Sequence, residues 1–122
     1  MLTAEKLEDF RQSWRPTPEK VDLAVKTAIE LARPSRVFIF GSWARGEATA
    51  DSDLDLAVLV PEERSSEIPE LRSQINRQLA QMRMSVDLIV VTEEYFARFR
   101  SSINSIYYKI ANQGKLIYER CD

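Results

Sequence analysis

Three aspartates and a Gly-Ser pair are the residues of this chain whose types and spacing could do chemistry. Gly41-Ser42 follows an apolar run, Val37-Phe38-Ile39-Phe40, and Asp53-Leu54-Asp55 opens a second, Leu56-Ala57-Val58-Leu59-Val60. Glycine tolerates positive φ and lets a ligand come close to the backbone. Ser42 is placed to cap a following helix, whose free N–H groups would face an anion. Asp53 and Asp55, two residues apart at a strand entry, are expected to point to one face. Two carboxylates ~5 Å apart repel by roughly 3 kcal/mol at an effective dielectric of ~20. Left alone, one of them takes up a proton, whereas a divalent cation reverses the sign of the interaction. The plainer alternatives are a strand-to-helix turn at Gly41-Ser42 and solvated turn aspartates at Asp53 and Asp55, since Asp51 and Ser52 beside them favour turns.

Asp87 is the third carboxylate, inside the apolar run Met84-Ser85-Val86-Asp87-Leu88-Ile89-Val90-Val91. An aspartate there is costly unless something pairs with it. Its partner is either an arginine at a strand edge or a metal shared with Asp53 and Asp55 on a neighbouring strand. In the second case the trio could bind two metals and activate an attacking hydroxyl. Turn and carboxylates together suggest a site for a metal-bound nucleoside triphosphate. Arg45 could reach the phosphates or brace a carboxylate. Trp43 could stack on a base or cover the sheet, and Gly46 reads as a helix C-cap. Tyr95, Tyr107, Tyr108 and Tyr118 could serve a partner surface or fill the core.

The bulk properties narrow the chemistry. The chain has no histidine, which excludes a histidine general base, a Ser-His-Asp triad and a histidine-ligated zinc. The remaining oxygen ligands suit hard cations such as Mg²⁺. A length of 122 residues suggests one domain, and a formal net charge of -2 gives no footprint for general nucleic-acid binding. No apolar run approaches the ~20 residues that span a bilayer. The amino terminus lacks a signal-peptide pattern, and the single cysteine, Cys121, has no internal partner. A cytoplasmic location is expected.

Strands interleaved with helices must position these residues. An amphipathic helix is expected over 3–14, with Leu7, Phe10 and Trp14 on one face. Thr17-Pro18-Glu19 starts a second helix that runs to about Ala32 and buries Val21, Ala24, Val25, Ala28, Ile29 and Leu31. Strands are expected at 36–40, 53–60 and 85–91, with a last short one at 115–118. A charged loop at 61–66 leads into a helix reaching about Met84, with Ile68, Leu71, Ile75, Leu79 and Met82 inward. One further helix should run from Thr92 to Gly114 with Phe96, Phe99, Ile103, Ile106 and Ile110 inward. The layout is α/β or α+β, strands interleaved with helices on one small sheet.

Gly41-Ser42, ten residues, then Asp53-x-Asp55 resembles the signature of the polymerase-beta-like nucleotidyltransferase superfamily. The string from Gly41 to Leu56 is similar to that of its small members, the minimal nucleotidyltransferases, and Asp87 falls where they carry a third carboxylate. The resemblance covers roughly residues 18–118 of a domain spanning 1–122 and implies the nucleotidyltransferase fold, a small mixed sheet flanked by helices. It implies two Mg²⁺ ions held by Asp53, Asp55 and Asp87, and ATP as substrate. Gly41, Ser42 and Arg45 would hold the nucleotide. AMP would pass to a hydroxyl with pyrophosphate leaving, Asp87 helping to deprotonate the acceptor. Small members often accompany HEPN-domain toxins as antitoxins, which implies a partner-protein acceptor and a homo- or hetero-oligomer. A small-molecule acceptor such as an aminoglycoside, or neutralisation by binding alone, are the competing expectations.

Overall fold

The computed structural model describes residues 3–6, 14–49 and 52–121. Most of the helix expected over 3–14, including Leu7 and Phe10, lies outside the described residues, as does Asp51. The remaining elements form a four-stranded mixed sheet flanked by helices, in the strand order β3-β2-β1-β4. The strands are β1 (Arg36–Phe40), β2 (Leu54–Val60), β3 (Val86–Thr92) and β4 (Lys115–Glu119). The helices are α1 (Pro18–Ala32), the single-turn α2 (Ser42–Arg45), α3 (Ile68–Gln81), α4 (Glu93–Phe99) and α5 (Ile106–Gln113). No helix among the described residues is long and apolar enough to cross a membrane.

Helix α1 starts as its sequence dictates. Thr17 Oγ1 accepts from Lys20 N at 3.2 Å, and Pro18 occupies the first turn. It ends at Arg33, which adopts a left-handed φ of 45°. The buried residues are the small ones, Ala24, Ala28 and Ala32, at a spacing of four; Val21, Val25, Ile29 and Leu31 are only partly covered. An alanine stripe brings the helix axis close to what it covers.

β1 lies between β2 and β4 and pairs antiparallel with both, whereas β2 and β3 are parallel. β2 is buried from Leu56 to Val60 because helices cover both faces of the sheet. One layer packs α1 and α3 through Ala28, Leu71, Ile75 and Leu79 onto Val37, Leu56, Val58 and Val90. The other packs Phe96 of α4 and Ile110 of α5 onto Phe38, Phe40, Ala57 and Leu59.

Three segments depart from the sequence expectations. The loop after β2 is wound into a 3₁₀ turn, Glu62–Glu67, and α3 stops at Gln81, short of Met84. The helix expected from Thr92 to Gly114 is two helices. Ser105 breaks it: its Oγ donates to Phe99 O at 2.9 Å and accepts from Tyr108 N at 3.1 Å, closing α4 and capping α5. The break turns Ile103 and Ile106 outward, to 73% and 41% exposure, where an inward position was expected.

At the end of the sheet where β1 begins, Arg36 and Glu93 lock β1 to the start of α4. Arg36 Nη2 reaches Glu93 Oε1 at 2.6 Å and its Nε reaches Oε2 at 3.0 Å, while Ser35 Oγ donates to Oε2 at 2.7 Å. Burial alone would raise the Glu93 carboxyl, but the hydrogen bonds from Arg36 and Ser35 outweigh it and hold the group below its ordinary value. The sign follows: Glu93 stabilises the fold above the ordinary carboxylate range, and that stabilisation disappears as pH falls through its depressed value. Glu93→Gln should therefore cost about 1–2 kcal/mol at neutral pH, given the partial exposure of the pair. The cost should vanish in acid. Melting curves of both proteins against pH check this; a constant difference across the acid range would contradict it.

Candidate active site

The same alternation that buries Ala57 and Leu59 on the α4/α5 face delivers Asp55 to that face, at the opposite end of β2. Asp55 is flanked in register by Phe40 of β1 and Asp87 of β3. The parallel pairing thus sets two carboxylates side by side. β3 is an edge strand and Asp87 is exposed, so its position near the strand start carries little of the burial cost expected from the apolar run. Among the described residues no basic side chain forms an ion pair with it.

Asp55 is the perturbed group. Burial, the charge of Asp87, a hydrogen bond with Asp87 and the charge of Asp53 push its carboxyl up to about 6, with only the Arg45 charge pulling down. Four influences against one describe a site short of positive charge, the condition a bound cation relieves.

Gly41 explains why the Asp55 carboxylate sits where it does. Its φ of 70° and ψ of -153° lie in a region that is essentially glycine-only. A Cβ there would collide with Asp55 Oδ2 and lie 3.0 Å from its Cγ. The absent side chain is the space the carboxylate occupies. The turn then closes into α2, where Ala44 N and Arg45 N both bond to Gly41 O, at 3.1 and 3.2 Å. Gly41, not Ser42, holds the cap position, and Ser42 contributes its carbonyl, which accepts from Glu47 N at 2.9 Å. Gly46 has a φ of 71° and ends the turn as a C-cap.

A cleft of about 420 Å³ opens beside these groups, lined by Phe40, Gly41, Arg45, Asp55, Asn104, Ile106, Lys109 and Gln113. Arg45 lines it while pairing with Glu47, Nε to Oε2 at 3.0 Å. It makes no direct bond to a carboxylate of the site. Of the four residues from 104 onward, the sequence singled out only Ile106, and that as a core residue. They reach the cleft only because α5 folds back over β1, and no local motif marks them.

Asp53 stands apart from Asp55. It precedes β2, is exposed, and lines a separate hollow of about 330 Å³ with Trp14, Asn76, Leu79, Ala80, Met84, Ser85 and Val86. Its charge still reaches Asp55. Among the described residues no three acidic side chains close on one point as a ready-made ligand cage. Mg²⁺ does not need one: it is commonly held by one or two carboxylates with substrate phosphates and water completing its shell. The paired Asp55 and Asp87 fit that demand, with oxygen donors and an uncompensated negative charge.

Trp43, Tyr107 and Tyr118 pack against the core layers, whereas Tyr95 is 46% exposed. Trp43 is half-buried against the α1/α3 layer, its indole N–H buried with no hydrogen-bond partner. Tyr95 and Tyr107 meet edge to face at 5.4 Å; burial, then the Tyr95 neighbour, raises the Tyr107 phenol. Tyr118 packs on the α1/α3 layer.

A family model described as "Polymerase beta, Nucleotidyltransferase" matches residues 24–122. Among solved structures, one from Sulfolobus solfataricus, provisionally described as a nucleotidyltransferase, is 20% identical, with 86% of this chain and 91% of that chain covered and a TM-score of 0.49. Another, described as a toxin-antitoxin with AMP-PNP, is 24% identical, with 78% and 73% covered and a TM-score of 0.45. No curated protein matches the chain.

Proposed function

The chain belongs to the polymerase beta nucleotidyltransferase family, and from that premise we propose that it moves AMP from ATP to a hydroxyl on a partner protein. The observation that carries the reading is the Asp55 carboxyl, seated on Gly41, paired with Asp87 and raised to about 6 beside a cleft large enough for a nucleotide. Asp55 and Asp87 would hold Mg²⁺, with Asp53 as a further ligand and a second Mg²⁺ as the family resemblance implies. When bound, the metal would supply positive charge against the phosphates during transfer. Gly41 and Ser42 leave the backbone open to the triphosphate, and Arg45 adds positive charge at the mouth. The acceptor oxygen attacks the α-phosphorus; its bond to phosphorus forms as the bond to the bridging oxygen breaks and pyrophosphate leaves. Asp87, exposed at the sheet edge, takes the acceptor proton. Such chemistry is mainly positioning and charge neutralisation.

A protein acceptor is favoured by the surface beside the cleft. Ile103, at 73% exposure, adjoins Asn104, which lines it. Ile103 and the cleft-lining Ile106 are both exposed apolar side chains, which suit a protein surface better than a polycationic drug. We take the partner to be a HEPN-domain toxin and the chain to be its cytoplasmic antitoxin, on the resemblance of the Gly41 to Leu56 string to the minimal nucleotidyltransferases. The test is incubation with ATP, Mg²⁺ and either the product of the adjacent gene or an aminoglycoside, followed by mass spectrometry. Adenylylated protein supports the proposal. Adenylylated drug replaces its acceptor, and tight binding of the neighbour without modification replaces it with a binding antitoxin.

A further inference from the structure

Building on the nucleotidyl-transfer reading, we propose that Lys109 is the residue by which the cleft distinguishes a nucleoside triphosphate from a monophosphate. Ile106, Lys109 and Gln113 are spaced three and four residues apart on α5 and all line the cleft, so they form one stripe of that helix. The direction of the stripe is fixed by the fold. Lys115, just past the end of α5, is paired with Ile39, so Gln113 lies toward the Gly41 end. Lys109 sits about 6 Å back from it along the helix axis. The stripe therefore leads away from Asp55, first past a cation and then to the half-exposed Ile106.

Charge singles out Lys109 within this stripe. Two cations line the cleft, Arg45 and Lys109. Arg45 already faces Glu47 at 3.0 Å. Lys109 forms no ion pair among the described residues. Its ammonium is a flexible point charge with three donors, suited to phosphate oxygens that metal and backbone leave uncovered. A triphosphate presents such oxygens beyond the α-phosphate; a monophosphate does not.

The test measures dissociation constants for ATP, ADP and AMP with Mg²⁺, by displacement of a fluorescent N-methylanthraniloyl ATP from the full chain. In Lys109→Gln, ATP should bind about tenfold more weakly while AMP is unchanged, collapsing the preference for triphosphate; Lys109→Arg should keep most of it. The melting temperature without nucleotide should not move, because Lys109 is exposed. A Lys109→Gln protein that keeps the wild-type ATP-to-AMP ratio, or loses both nucleotides alike, overturns this assignment and leaves the nucleotidyl-transfer reading standing. A wild-type chain that binds no ATP with Mg²⁺ overturns both.

Discussion

Asp55→Asn is expected to reduce nucleotidyl transfer by about a thousandfold or more while leaving the metal-free fold as stable as before, or more so, at neutral pH. The two effects have one cause. The carboxylate is held next to Asp87, against Gly41 and within reach of the Asp53 charge, in a partly buried place that raises its pKa to about 6 from the ordinary 3.8. A carboxyl with a raised folded value binds more protons folded than unfolded between those two values. Stability therefore falls as pH rises from 3.8 through about 6, and the loss is complete above that window. Asparagine keeps the shape and removes the titration. In chelator-treated protein the melting temperature of Asp55→Asn relative to wild type should climb across that window and then level off. This is opposite in sign to Glu93, whose depressed carboxyl stabilises the fold above its titration. A mutant less stable than wild type at neutral pH would show that Asp55 is a structural carboxylate.

Gly41→Ala is expected to damage both properties at once. The backbone conformation costs a non-glycine residue about 1–3 kcal/mol. For a chain of this size that lowers the melting temperature by roughly 5–15 °C. The new Cβ also collides with Asp55 Oδ2, so the carboxylate must leave its position and transfer should fall as far as in Asp55→Asn. The two contributions separate in a double mutant. With alanine at 55 the nearest remaining atom of that side chain, its Cβ, lies 3.5 Å from the new methyl group, an ordinary contact. Gly41→Ala should then cost only the backbone strain, less than in the wild-type background, by a coupling measurable in thermal or urea unfolding. Strict additivity would mean that Gly41 and Asp55 do not share this space.

Much of this was legible in the sequence because it is local. The Thr17-Pro18 cap, the Gly41 turn, the alternation of β2 and the Gly46 cap are written within a few residues, and each element stands where those residues put it. Register was not local. That Asp55 faces Asp87 depends on β2 and β3 pairing in parallel with no slip. Asp53, expected beside Asp55 by two-residue alternation, immediately precedes the first residue of the strand and bears on Asp55 through its charge. The α4/α5 break was signalled by Ser101, Ser102, Asn104 and Ser105, residues that favour caps over helix interiors, yet the apolar spacing of Ile103 and Ile106 spoke for continuity. The cap prevailed, and the turned-out face of α5 became a wall of the cleft. Lys109 carried no sequence signal, since a lone lysine on a helix is ordinary until the fold sets it opposite a glycine turn.

The central claim is that the Asp55–Asp87 site transfers a nucleotidyl group, and the fate of the α-phosphate tests it most directly. The chain would be incubated with Mg²⁺, the adjacent gene's product, and ATP labelled at either the α- or the γ-phosphorus. Covalent label on the acceptor is expected from α-labelled ATP and none from γ-labelled ATP, with labelled pyrophosphate released from the latter and every signal lost in Asp55→Asn. Label arriving from the γ-position, or α-label transferred undiminished by the Asp55→Asn protein, would contradict it.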